Sequence, residues 1–196
     1  MTAQMADVAV RQLIADDWAQ ARGARLAALA EAPYAFASTL AKEQAYDDEV
    51  WRSRAGSGRT FGAFDGATIV GLATGLPSGE LNRHAATSAV DEDRSGSAQP
   101  TWQLVGMWVA PGYRGQGVAD ALVAAVCDLA RAAGASSVNL WVTEVNDRAR
   151  AFYRRLGFLP TSARMLVRPD EPDHWEEELI LPLGYLAPAS ARTGRS

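Results

Sequence analysis

The chain has one cysteine, Cys127, which excludes an internal disulfide and any cysteine-cluster zinc site. Its two histidines, His84 and His174, are too few for a histidine-rich metal centre, so no metal is expected. No uninterrupted apolar run approaches the ~18 residues that span a bilayer, and Met1 to Asp7 lacks a basic patch leading into an apolar segment. The expectation is a cytoplasmic protein with no membrane partner. Lysine is nearly absent: Lys42 stands alone among 19 Lys and Arg, and 23 Asp and Glu leave a formal net charge of −4. An acidic average argues against a nucleic-acid partner. The arginine bias, with much alanine, reads as genome composition rather than function.

What is present is ordinary for a globular protein: 48% hydrophobic and 21% charged over 196 residues, the size of one domain. We assign residues 1–183 to that domain and 184–196 to an unpacked tail. Val8, Val10 and Leu13 alternate as a short strand, and Asp16 and Asp17 offer an N-cap to an alanine-rich helix ending near Pro33. Ser38 to Arg54 reads as a second helix, broken by Gly56, Ser57 and Gly58. Thr60–Phe64 and Thr68–Leu76 flank Asp65-Gly66 as a hairpin, and Ser78 to Pro100 is a polar surface loop. Strands follow at Trp102–Val109, Val138–Val142, Phe158–Val167 and Trp175–Leu181, with helices at Gly117–Ala133 and Asn146–Leu156. The order predicts an α/β fold with a mixed sheet and helices on both faces.

The most informative segment runs Val109-Ala110-Pro111-Gly112-Tyr113-Arg114-Gly115-Gln116-Gly117-Val118-Ala119: strand end, turn, helix start. Gly115 and Gly117 remove side chains where the chain turns tightly, and the free N–H groups of the helix's first turn then point outward with the positive end of its dipole. A phosphate fits there, with Arg114 as a cation beside it. The competing readings are a plain connection, a Walker loop, which the lack of Gly-Lys-Ser/Thr excludes, and a dinucleotide fingerprint, whose third glycine position holds Asp120.

This segment resembles the coenzyme A loop of the GNAT acetyltransferase superfamily, in which Arg/Gln-x-x-Gly-x-Gly/Ala follows a Val-x-Pro strand end; Arg114, Gly117 and Ala119 match. A second element, Asn146-x-x-Ala149-x-x-x-Tyr153-x-x-x-Gly157-Phe158, follows in family order and spacing. The resemblance implies a GNAT fold whose fourth and fifth strands splay apart around the pantetheine arm of acetyl-CoA. It implies backbone contacts to the arm from Met107, Trp108 and Val109, and pyrophosphate contacts from Arg114, Gly115, Gln116, Gly117, Val118, Ala119 and Asp120. Asn146 and Ala149 would meet the arm, and Tyr153 would protonate the departing thiolate. Gly106 is a candidate for the bulge that starts the splay, with close packing as the competing reading. Cys127, inside a helix, reads as packing rather than a nucleophile.

The family's two usual positions for a base hold Gln103 and Trp141, neither of which takes a proton at neutral pH. Glu144, Glu43 or a water relay are the remaining candidates. Ala32 to Ser38 corresponds to the wall of the family's acceptor site, where Tyr34 and Phe36 either line a pocket or pack in the core. Asp170, Glu171, Asp173 and Glu176-Glu177-Glu178 favour a cationic acceptor or form a solvated charged face. The expected function is N-acetylation of a small-molecule primary amine by direct attack in a ternary complex, by a monomer or homodimer. The alternatives are a protein N-terminal or lysine acetyltransferase and a coenzyme A-binding module without turnover.

Overall fold

The computed structural model describes residues 8–78, 100–168 and 171–184. Almost all of the expected Ser78 to Pro100 loop, together with His84, Asp170 and nearly all of the 184–196 tail, lies outside them. The elements are β1 (Ala9–Gln12), α1 (Trp18–Glu31), α2 (Leu40–Gln44), α3 (Asp48–Ala55), β2 (Thr60–Asp65), β3 (Thr68–Pro77), β4 (Thr101–Val109), α4 (Val118–Ala132), β5 (Ser137–Thr143), α5 (Asp147–Arg155), β6 (Leu159–Leu166) and β7 (Trp175–Pro182). No helix among the described residues is long and apolar enough to cross a membrane.

Three local expectations need correction. The single helix expected over Ser38 to Arg54 is two, because Thr39 caps α2 through the Lys42 N–H and Asp47, in extended conformation, restarts the chain as α3. The β2–β3 turn residues are Gly66 and Ala67, since Asp65 still pairs with Thr68. Asp17 stands at the start of α1 without capping it: its carboxylate accepts from the Ile14 N–H at 2.9 Å and pairs with Arg11 at 2.7 Å.

The seven strands form one sheet in the order β1-β2-β3-β4-β5-β7-β6. All pairs are antiparallel except β4 with β5, and that pair is short: only Thr101, Trp102 and Gln103 meet Ser137, Val138 and Asn139. Beyond Gln103, β4 follows β3 up to Val109 while β5 follows β7 up to Thr143, so the two central strands part. Gly106 does form a bulge. Gly106 and Met107 together oppose Ala73, and Gly106 adopts φ +63°, a conformation that disfavours any side chain. The parting begins before the bulge, just past Gln103.

The sheet separates two faces. On one, α4 buries Val118, Leu122, Val126 and Cys127 against Val70, Leu104 and Val138, and α5 adds Tyr153. α4 lies very close to the sheet, as a Cβ on Gly71 or Gly75 would come within 2.9 Å of Leu122 or Val126. The other face carries α1 and α3, where Leu13, Phe64, Ile69 and Leu72 pack with Ala24 and Ala55.

Candidate active site

The gap between β4 and β5 opens next to the start of α4. Gly115 and Gly117 have φ of +77° and +81°, and a Cβ built on either would meet nothing within 4 Å. Backbone conformation, rather than crowding, thus demands glycine here, and the space beside it is open. The first bond of the α4 ladder runs from the Ala121 N–H to the Gly117 carbonyl, which leaves the N–H groups of Val118, Ala119 and Asp120 ahead of it. Those donors and the helix dipole form an anion cradle. The Asp120 side chain turns away to Arg155 of α5 at 2.8 Å, and Gln116 closes the loop by donating to the Gly112 carbonyl.

Along β4 the peptide groups alternate between β3 and the gap. The Ala110 N–H bonds to the Val70 carbonyl, so the groups of Trp108 face β3 and those of Met107 and Val109 face the gap. Trp108 is therefore not a backbone ligand to anything in the gap; it enters through its side chain. Its Nε1 donates to Glu31 at 2.8 Å, and Glu31 also receives Arg114 at 2.6 and 2.7 Å. Burial alone raises the Glu31 carboxyl, but the bonds from Arg114 and Trp108 outweigh it and hold it below the usual carboxylate range. Arg114 Nε donates to the Val109 carbonyl, so this residue straps α1, β4 and the glycine loop together. Glu31 lies 83 residues from Arg114, a separation at which sequence carries no local signal.

Across the gap, Asn146 caps α5 by accepting from the Ala149 N–H at 3.1 Å, which leaves its amide nitrogen without a partner among the described residues. Tyr153 lies on the α5 face turned into the core, its ring edge-on to Phe152 and Phe158 at 5.0 and 5.6 Å. Burial pushes its phenol above the ordinary tyrosine value, so it keeps its proton at every working pH. Cys127 is buried and its thiol is pushed up to about 11, which makes it packing and not a nucleophile.

Gln103, Asn139, Trp141 and Thr143 lie on the sheet face opposite α4 and α5, because Leu104, Val138, Leu140 and Val142 occupy the α4 side. β5 there runs under the 3-10 turn Pro33–Ala35. Tyr34 is exposed, and Phe36 packs with Ala28 and Leu29 beneath the Arg25 guanidinium, which makes it core. Glu144 is held by Arg164 at 2.6 and 2.8 Å. Glu43 is buried among α1, α2 and α3, bound by Arg25 and Arg54.

A model of the acetyltransferase (GNAT) family matches residues 25–158. The chain belongs to that family. Streptothricin acetyltransferase of Streptomyces lavendulae is 48% identical over 50 residues, 26% of each chain. The chain spans about a quarter of the length of the curated relatives it matches. Among solved structures, a mutant of agmatine N-acetyltransferase in its apo form superposes with a TM-score of 0.68 at 22% identity over 90% of this chain and 99% of that one. The yncA protein of Salmonella typhimurium, solved with its cofactor acetyl-CoA, gives 0.66 at 16% over 94% and 99%. These likenesses establish the GNAT fold.

Proposed function

We propose that the protein transfers the acetyl group of acetyl-CoA to a primary amine of a small molecule by direct attack in a ternary complex, within the domain formed by residues 1–183. The observation that carries the reading is the parting of β4 from β5 beyond Gln103, next to the unbonded N–H groups that open α4. A pyrophosphate at the N–H groups of Val118, Ala119 and Asp120 sets an extended arm against the peptide groups of Met107 and the N–H of Val109, whose carbonyl is held by Arg114. Unpaired peptide groups at a strand edge favour such an added strand. Asn146 and Ala149 border the arm from α5. The thioester then meets its acceptor on the side of Trp141 and Thr143.

Tyr153, always protonated, donates to the sulfur as the C–S bond breaks. The proton matches the chemistry, since a thiolate left unprotonated in a buried gap is strongly disfavoured. Small-molecule acceptors are favoured by the streptothricin and agmatine acetyltransferases among its relatives and by Trp141, which stands where the ribosomal-protein N-terminal acetyltransferases carry a glutamate.

The test is turnover of acetyl-CoA against a panel of small amines, lysine-containing peptides and free peptide N-termini, read by thiol release. Thiol release that depends on a small amine supports the proposal. Release with peptides only makes the chain a protein acetyltransferase, and coenzyme binding without release under any condition makes it a binding module.

A further inference from the structure

We propose that Glu176 is the base of this transfer, taking the proton from the acceptor's ammonium group. The proposal rests on the acetyltransferase reading and supplies the proton acceptor that Gln103 and Trp141 cannot. Glu176 is the second residue of β7, directly opposite Thr143 of β5 and Met165 of β6. It points to the face away from α4 and α5, since its neighbour Glu177 points the other way and is bound by Arg150 of α5 at 2.6 Å. That is the face on which the acyl group emerges and over which the Pro33–Ala35 turn passes. Arg168, at the end of β6, ties this turn to the β6–β7 hairpin by donating to the Pro33 and Phe36 carbonyls at 2.9 and 3.0 Å.

Four other glutamates are committed. Glu144 has Arg164, Glu31 has Arg114, Glu43 has Arg25 and Arg54, and Glu178 accepts from Asn139 Nδ2 at 2.6 Å and Thr161 Oγ1 at 2.9 Å. Glu176 is only 9% exposed, and its carboxylate oxygens have no hydrogen-bond or ion-pair partner among the described residues but keep an opening to solvent. Buried atoms on the same face lack partners: Asn139 Oδ1, Thr143 Oγ1 and His174 Nε2. A carboxylate that is largely desolvated yet unpaired costs stability, and where a fold retains such a group a ligand is its natural counterpart.

Burial pushes the Glu176 carboxyl above the usual range, offset in part by His174. A carboxylate raised in this way is a stronger base than an ion-paired one. The groups facing it are otherwise uncharged or engaged: Thr143 and Trp141 from β5, Met165 from β6, Glu178 along its own strand, and Arg168, which is bound to Glu171. His174 itself holds Glu171 through Nδ1 at 2.8 Å.

The step balances. The ammonium passes one proton to Glu176, and the freed nitrogen lone pair forms the C–N bond at the thioester carbonyl. The C–S bond breaks with its electron pair on sulfur, which takes the Tyr153 proton. The second amine proton, carried by water, replaces the one Tyr153 gave, and Glu176 returns its own proton to solvent.

The test compares the parent with Glu176→Gln, Glu176→Asp and His174→Gln, using kcat, its pH profile and the coenzyme-induced melting shift. Glu176→Gln should lower kcat by about 10²–10⁴-fold with the melting shift kept, and should abolish the acid limb that reports the carboxylate. Glu176→Asp, which keeps a carboxylate, should keep that limb. His174→Gln should move the limb to higher pH without removing it. Glu176→Gln turnover within about threefold of the parent overturns the proposal, as does a limb that survives in Glu176→Gln but vanishes in His174→Gln. Equal losses in Glu176→Gln and Glu176→Asp with the limb intact in both also overturn it, since that pattern is packing. A parent that releases no thiol with any amine refutes the acetyltransferase reading instead, and that is seen before any variant is made.

Discussion

Among the described residues the fold buries three acids, Asp17, Glu43 and Glu176, and treats them oppositely at its two ends. Where α1, α2 and α3 meet, Glu43 is 2% exposed and receives Arg25 at 2.7 Å and Arg54 at 3.2 Å, with Arg54 also lying over the rings of Tyr46 and Trp51. Burial works to raise its carboxyl, but the arginines overcome it and hold it below the usual range. Asp17 is likewise held by Arg11. At the β5–β7 end, Glu176 has comparable burial and no cation. The first arrangement fixes helices on one another, while the second leaves a proton acceptor unsatisfied beside the place where an amine would arrive. The same residue type therefore serves cohesion at one end and chemistry at the other.

The largest expected effect lies at the open end and touches turnover alone. Tyr153→Phe keeps the ring against Phe152 and Phe158 and removes only the hydroxyl, so kcat should fall by roughly 10²–10⁴-fold with little change in melting temperature. Near-parental turnover would take Tyr153 out of the mechanism.

At the closed end the pattern inverts. Glu43→Gln leaves two guanidinium groups facing a neutral amide and should cost about 3–5 kcal/mol, measured by denaturant unfolding, with kcat per folded molecule unchanged. The folded carboxyl lies below its unfolded value, near ~4.3, so its contribution is complete above that pH and is lost as pH falls through the folded value. The variant should lack that acid-driven loss. A variant as stable as the parent would show the arginine pairs to be ornamental.

A third substitution separates binding from both ends. Gly117→Val places a branched side chain at φ +81° in the open cradle. The stabilisation given by coenzyme A, about 2.7 kcal/mol at a hundredfold excess over Kd, should disappear while the apo protein remains folded. Unchanged coenzyme stabilisation would reduce the loop to a connection.

The smallest effect is a gain. Because the folded Glu176 carboxyl is raised, its charge weakens the fold above the folded value and does nothing below the unfolded one. Glu176→Gln should thus be slightly more stable than the parent at neutral pH, by denaturant unfolding, and the gain should vanish in acid. A loss of stability at neutral pH would mean that the carboxylate has a partner.

Sequence spoke clearly where the signal is local. The glycine pair ahead of an apolar helical stripe predicts the α4 cradle and Asn146 predicts the α5 cap, while Gly106 allowed a bulge or close packing alike and the structure has the bulge. The break between α2 and α3 was not legible, since Ser38 to Arg54 has no apolar period to interrupt. The roles of the three glutamates 176 to 178 were hidden for a different reason. They read as one solvated acidic run, yet Glu177 faces α5 and its arginines, Glu178 is tied to Asn139 and Thr161, and only Glu176 is left alone among the described residues. That distinction depends on which strands flank β7, and no spacing encodes it. Glu31 escaped notice likewise, as its partners come from β4 and the loop before α4.

The parted strands and the cradle at α4 must hold coenzyme A for any of this chemistry to run, and thermal unfolding with added ligand tests that most directly. Acetyl-CoA or coenzyme A should raise the melting temperature in a concentration-dependent way, while NAD, FAD and ATP leave it unchanged. A shift with NAD and none with coenzyme A would overturn the assignment of the gap and the cradle to the coenzyme.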